Sequence, residues 1–171
     1  MLQRPASEEY SPYFTGYINQ VPEGDYQSIL HSQLDAIVDL FSPINDEQGL
    51  HRYEPGKWSL KEVLGHITDT ERIMSYRMLR IARGDTTNLP GFDQDLYIAN
   101  TSFDELSMED LLNDFKAVRQ ATFTLLKTIS EAAWSRKGIA NNNEISARAL
   151  AYVIAGHAQH HLGVIQQKYN D

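Results

Sequence analysis

His157 and His161 stand four apart in the segment SARALAYVIAGHAQHHLGVIQQKY, a spacing that sets two imidazoles on one helix face about one turn apart. Rings placed in this way can converge on one metal ion, since each neutral imidazole offers a nitrogen lone pair. His160 also keeps a helical spacing to His157, but it falls on the stripe of Ala149, Val153, Gly156 and Val164, displaced by about a quarter turn. His161 is therefore the better ligand, and His160 reads as a supporting or interface histidine. A third ligand is expected from a facing helix. His66, in GHITDTE, shares its side with Val63, Thr70 and Ile73. Read singly, a histidine there is an ordinary core residue. Beside a spaced pair the metal reading gains, because burying three unpartnered imidazoles is costly while one cation satisfies a nitrogen on each.

Acidic neighbours come next. Asp69 follows His66 by three residues, on nearly the same face, and could orient a ligand, take a proton from bound water as a base, or pair with Arg72. Glu71 lies about 140 degrees round the helix from His66 and is expected to form an outside ion pair. His31, on the flank of the first helix, and His51, in a loop, are read as structural or solvent-facing.

Three neutral imidazoles leave a divalent ion its full charge and an open position, as in catalytic zinc sites. Such an ion brings the pKa of water down toward about 7, or holds a thiol as thiolate, so hydrolysis and thiol transfer both follow from the chemistry. A non-catalytic clamp between two helices is a third reading, and a metal-free helical interaction module a fourth.

The elements that must position these residues are four helices. The first starts with Asp25 as N-cap, carries Ile29, Leu30, Leu34, Ile37, Val38 and Phe41 at helical spacing, and stops at Ser42-Pro43. The second starts with a Ser59/Glu62 capping box and runs to Arg83, with Gly84 suited to a left-handed stop. Residues 84–104 are a long connection rich in turn formers, read as a crossover with a lid-like part. The third helix opens at Ser107 with Asp110 and ends near Trp134; after the polar turn KGIANNNE, Ser146 caps the fourth. No run alternates with a period of two, so the expectation is an all-α four-helix bundle with a long connection between helices two and three. Gly65 and Gly156 lie beside two of the histidines and could admit a close neighbour.

Length and composition fit one domain over residues 1–171, with an irregular N-terminal arm over 1–22: 171 residues at 42% hydrophobic content can bury a stable core. The absence of cysteine excludes disulfides, thiolate ligands and a cysteine nucleophile, leaving metal chemistry to nitrogen and oxygen. MLQRPASEEYSPYF lacks the apolar run of a signal peptide, and nothing later could cross a bilayer, so a cytoplasmic protein without membrane contact is expected. A net charge of -8, with 15 Lys and Arg scattered among acids, gives no reason to bind nucleic acid.

These residues resemble a known family, the DinB-like superfamily of metal-binding helical bundles, within it the branch related to bacillithiol transferases. The resemblance spans nearly the whole chain, through KWSLKEVLGHITDTERIMSYRMLRIARGD, LPGFDQDLY and SARALAYVIAGHAQHHLGVIQQKY. It implies one zinc- or nickel-type ion on the histidine of GHxxDTE and the first and last histidines of HxxHH, here His66, His157 and His161. It also implies transfer of a low-molecular-weight thiol to a small electrophile, with metal-dependent hydrolysis or a non-catalytic stress-response role as alternatives, and a homodimer. Trp58, Phe92, Asp93 and Tyr97 match segments that lie toward the metal pocket in similar proteins; as ordinary residues they would be an anchor, packing and a turn cap.

Overall fold

The computed structural model describes residues 2–169, which form a mostly helical protein. The helices are α1 (Thr15–Ile18), α2 (Tyr26–Phe41), α3 (Leu60–Ala82), α4 (Gln94–Ala99), α5 (Met108–Leu126) and α6 (Ala147–Lys168). Local chemistry accounts for where the long ones begin. Asp25 accepts from Ser28 N–H at 3.0 Å, Ser107 from Asp110 N–H at 3.0 Å and Ser146 from Ala149 N–H at 3.0 Å. Ser59 and Glu62 close a reciprocal box: the Ser59 hydroxyl accepts from Glu62 N–H at 3.0 Å, and Glu62 Oε2 accepts from Ser59 N–H at 2.8 Å. At the far end of α3, Gly84 takes φ +84° and its N–H donates to Ile81 O at 2.9 Å.

Two strands, β1 (Lys137–Ala140) and β2 (Asn143–Ser146), pair antiparallel and correct the all-α expectation. They are joined by Asn141 and Asn142 with φ of 51° and 59°, the doubly left-handed turn that matches strand twist and that Asn tolerates. The hairpin anchors its neighbours: Leu89 N–H donates to Ile139 O and Asn141 N–H to Leu89 O, each at 2.9 Å. The third long helix also stops earlier than Trp134, at Leu126, because Ser130 turns extended (ψ 157°) and starts a separate 3-10 turn, Glu131–Ala133. The arm is less irregular than expected, holding 3-10 turns at Ser7–Glu9 and Pro12–Phe14 before α1.

The apolar residues fall into two clusters. One joins Phe14, Ile18, Tyr26 and Leu30 to Met78, the hairpin and the first half of α6; the other joins Ile37, Phe41, Leu64, Ile67 and Phe115 to Leu162 and Ile165. α3 lies against both α5 and α6. That central placement corrects the outward reading of Glu71. It is buried and takes Arg119 bidentately, with Arg119 Nε 2.9 Å from Oε1 and Nη2 2.8 Å from Oε2, while Arg119 Nη1 donates to Leu30 O at 3.1 Å. A face 140 degrees from His66 is not outside when the helix has neighbours on both sides.

Candidate metal centre

α3 and α6 present the three predicted histidines to one another where the two apolar clusters meet. On α6, His157 sits between Ala155 of one cluster and Ala158 of the other. His66 Nε2 is 2.9 Å from His157 Nε2, and His161 Nε2 is 3.2 Å from the same atom. One donor atom from each ring lies within 4.8 Å of the others. His66 and His157 are buried and His161 is half-buried. The glycines beside two of these histidines admit other parts of the chain: a Cβ on Gly65 would lie 2.4 Å from the Phe103 ring, and one on Gly156 2.0 Å from Tyr17 O of α1.

Burial lowers all three imidazoles below their ordinary value, with neighbouring imidazoles adding to it. His66 is pushed down to about 4 and His161 to about 3, and His157 is held well below the ordinary value by burial and by His161, His66 and His160. At neutral pH the rings are uncharged. A neutral imidazole has one N–H, so His157 Nε2 can donate to one neighbour or accept, but cannot satisfy both facing nitrogens at once. Three lone pairs turned inward, with no acid among them, fit a cation better than they fit one another.

Aromatic rings close round the cluster. Trp58 lies 4.7 Å from His66 and Tyr17 5.5 Å from His157, centroid to centroid. His66 and His157 line a cavity of about 260 Å³ with Tyr17, Phe92 and Arg77, while His161 opens on a second of about 550 Å³ beside Trp58 and His160. His160 stays off the cluster, its Nδ1 3.5 Å from Gln20 Nε2.

Asp69 is held elsewhere. Its Oδ1 accepts from Arg72 Nη1 at 3.3 Å, with its carboxyl raised by burial and partly offset by Arg72, and Arg72 also reaches Asp114. The pairing with Arg72, one of the three readings left open for Asp69, is formed. Phe92 lines the first cavity, Tyr97 is exposed with its ring 5.2 Å from Phe92, and Asp93 caps α4 by accepting from Asp95 N–H at 2.9 Å. His31 stacks on Phe123 at 4.1 Å, and His51 is exposed with its ring edge-on to Tyr169. Tyr17 gives no local signal because it lies 140 residues before His157, the ring it packs against. Arg77 gave a signal that was passed over: at eleven residues from His66 it returns to the same face of α3, within about 20 degrees.

Residues 29–165 match the family model of the DinB superfamily. The chain is 23% identical over 155 residues to a protein of Oceanobacillus iheyensis named "Putative metal-dependent hydrolase OB0413", covering 86% of this chain and 89% of that one. Among solved structures, YfiT from Bacillus subtilis, described as "a probable metal-dependent hydrolase with an unusual four-helix bundle topology", aligns with a TM-score of 0.73 at 14% identity, covering 96% of this chain and 90% of that one. A mycothiol-dependent maleylpyruvate isomerase aligns with a TM-score of 0.67 at 13% identity, over 90% of this chain and 62% of that one.

Proposed function

Starting from the fact that the chain belongs to the DinB superfamily, we propose that it is a metal-dependent enzyme joining a low-molecular-weight thiol to a small electrophile, with one divalent zinc- or nickel-type ion on His66, His157 and His161. The observation that carries this reading is the convergence of three uncharged ring nitrogens within 4.8 Å, with no carboxylate in the group. Bound there, the ion keeps its full charge and supplies a nucleophile at neutral pH by favouring the deprotonated form of a thiol or water.

The chain's own residues supply the rest. Burial keeps the imidazoles neutral and ready to donate their lone pairs. Trp58 and Tyr17 shield the nitrogens from bulk water, which strengthens every charge interaction inside. Two cavities, of about 260 and 550 Å³, border the cluster, the first at His66 and His157 and the second at His161. A transfer brings two reactants together and has a use for both spaces, whereas hydrolysis needs one substrate and water. Metal-dependent hydrolysis of a small molecule is the second reading, favoured by the names of the two relatives called hydrolases.

The test has two stages. Protein purified from medium containing several transition metals should carry about one ion per chain, and His66→Ala and His157→Ala should lose it. Unchanged metal content in those variants would remove the site. Metal-loaded protein is then offered a thiol with a chromogenic electrophile, and separately activated esters and amides. Metal-dependent conjugation supports the transferase; ester or amide cleavage without conjugation moves the assignment to hydrolysis.

A further inference from the structure

Three cationic side chains are buried in the described residues: Lys61, Arg77 and Arg119. Arg119 meets Glu71, and Lys61 Nζ lies 3.6 Å from Asp46 Oδ1. Arg77, 3% exposed, makes no ion pair among the described residues. Its Nη2 donates to Pro90 O at 2.6 Å, its Nη1 lies 3.6 Å from Met74 Sδ, and its Cζ is 5.8 Å from the Phe92 ring centre. A guanidinium stays charged under all ordinary conditions, so burying one without a counter-ion is expensive.

Arg77 lines the same cavity as His66 and His157. Between them on that wall stands Thr70, one turn beyond His66, whose buried Oγ1 has no hydrogen-bond partner. The remaining wall sets the apolar and aromatic Phe14, Tyr17, Met74 and Phe92 beside the uncharged polar Gln94 and Asn141, with no acidic residue. The cavity therefore carries an uncompensated cation and an orphan hydroxyl on the face that leads to the histidines. One anionic ligand with acceptor oxygens would satisfy both.

We propose that this cavity binds a small organic carboxylate, with Arg77 taking the carboxylate oxygens and Thr70 donating its hydroxyl hydrogen, so that Arg77 fixes which molecules reach the histidine cluster. This rests on reading the cavity as the substrate side of that cluster. A single positive charge matches a single carboxylate, whereas a phosphate dianion would remain half-compensated; the planar fork of Arg also suits a carboxylate edge. The carboxylate belongs either to the electrophile or to the thiol, and matched pairs separate the two sources.

The experiment measures binding by calorimetry to metal-free and metal-loaded protein, using 3-phenylpropionate against its amide and mercaptoacetate against 2-mercaptoethanol. At least one acid should bind tenfold or more tightly than its uncharged partner. That preference should persist without metal, vanish in Arg77→Gln and weaken in Thr70→Val. A preference confined to the first pair assigns the carboxylate to the electrophile, and one confined to the second to the thiol. Should Arg77→Gln fold poorly, the Arg77 Nε–H resonance of the unaltered protein must shift with the acid and not with its partner. If no acid is preferred, or if the preference survives in Arg77→Gln, the proposal is overturned. Metal content is followed in parallel: loss of the carboxylate preference with metal retained defeats this inference alone, whereas absence of metal with the preference retained defeats the enzymatic reading instead.

Discussion

Each imidazole of the cluster gains its usefulness from what burial does to its proton. Burial first, and the neighbouring imidazoles second, hold His66 at about 4 and His161 at about 3. Their folded values lie below the ordinary 6.5, so the unfolded chain takes up protons that the folded chain refuses. The stability linked to these groups is present above about pH 6.5 and is lost as pH falls toward about 4. The same depression governs metal uptake. Three histidines of ordinary pKa would together lose on the order of a thousandfold in neutral form by about pH 5.5. Here proton competition begins only near the folded values, so the affinity for zinc should change less than about threefold between about pH 6.5 and 5.5, below the range in which bound water ionises. Isothermal titration in buffers of differing ionisation enthalpy measures this directly, and near-zero proton release is expected at about pH 6, below the range in which water on the ion would ionise. A steep loss of affinity starting at about pH 6.5 would show that the rings are not held neutral by burial.

At the scale of elements, legibility followed the range of the interaction. Helix starts were read from the sequence because Asp25, Ser59, Ser107 and Ser146 cap backbone N–H groups three residues away. The i, i+4 histidine pair was legible for the same reason, and His66 followed because one facing helix carried one histidine. The hairpin was missed because four-residue strands are too short for an alternating pattern, although consecutive asparagines at 141 and 142 were a turn signal in plain view. Glu71 was misread because its partner, Arg119, is set by which helices flank α3, and helical periodicity carries no such information. Gly156 lies between these cases. Its position beside His157 was visible, but only the fold shows that α1 rests on it, with Tyr17 O 2.0 Å from where a Cβ would stand. Backbone cannot yield as a flexible side chain can, so Gly156→Ala should displace α1 and with it the Tyr17 ring from His157. A loss of about 1–3 kcal/mol is expected in denaturant unfolding, together with greater solvent access to the histidines, read as faster reaction with diethyl pyrocarbonate. A variant with full stability and unaltered histidine reactivity would mean that α1 does not press on this glycine.

For the molecule as a whole, the histidine cluster stands at a seam. One apolar cluster is built on the arm, the hairpin and the first half of α6, the other on the ends of α2 and α6 and the starts of α3 and α5. α3 and α6 cross the seam, and elsewhere the arm is stitched to α6 by Glu9, which takes Arg148 at 2.7 Å and the Ser146 hydroxyl at 2.9 Å. An ion held by His66 on α3 and by His157 and His161 on α6 binds the folded arrangement alone, because the unfolded chain does not bring the three nitrogens together. With free metal at about one hundred times Kd, linkage gives roughly 2.7 kcal/mol of added stability. At roughly 2–4 °C per kcal/mol for a chain of this size, Tm should rise by about 5–10 °C on loading and fall back on chelation. Hydrogen exchange should slow most in α6 on either side of His157, where the two clusters join, and little in the hairpin. His161→Ala should melt at the same temperature with or without the ion. A metal-dependent rise in Tm that persists in His161→Ala would place the stabilising ion somewhere other than the seam.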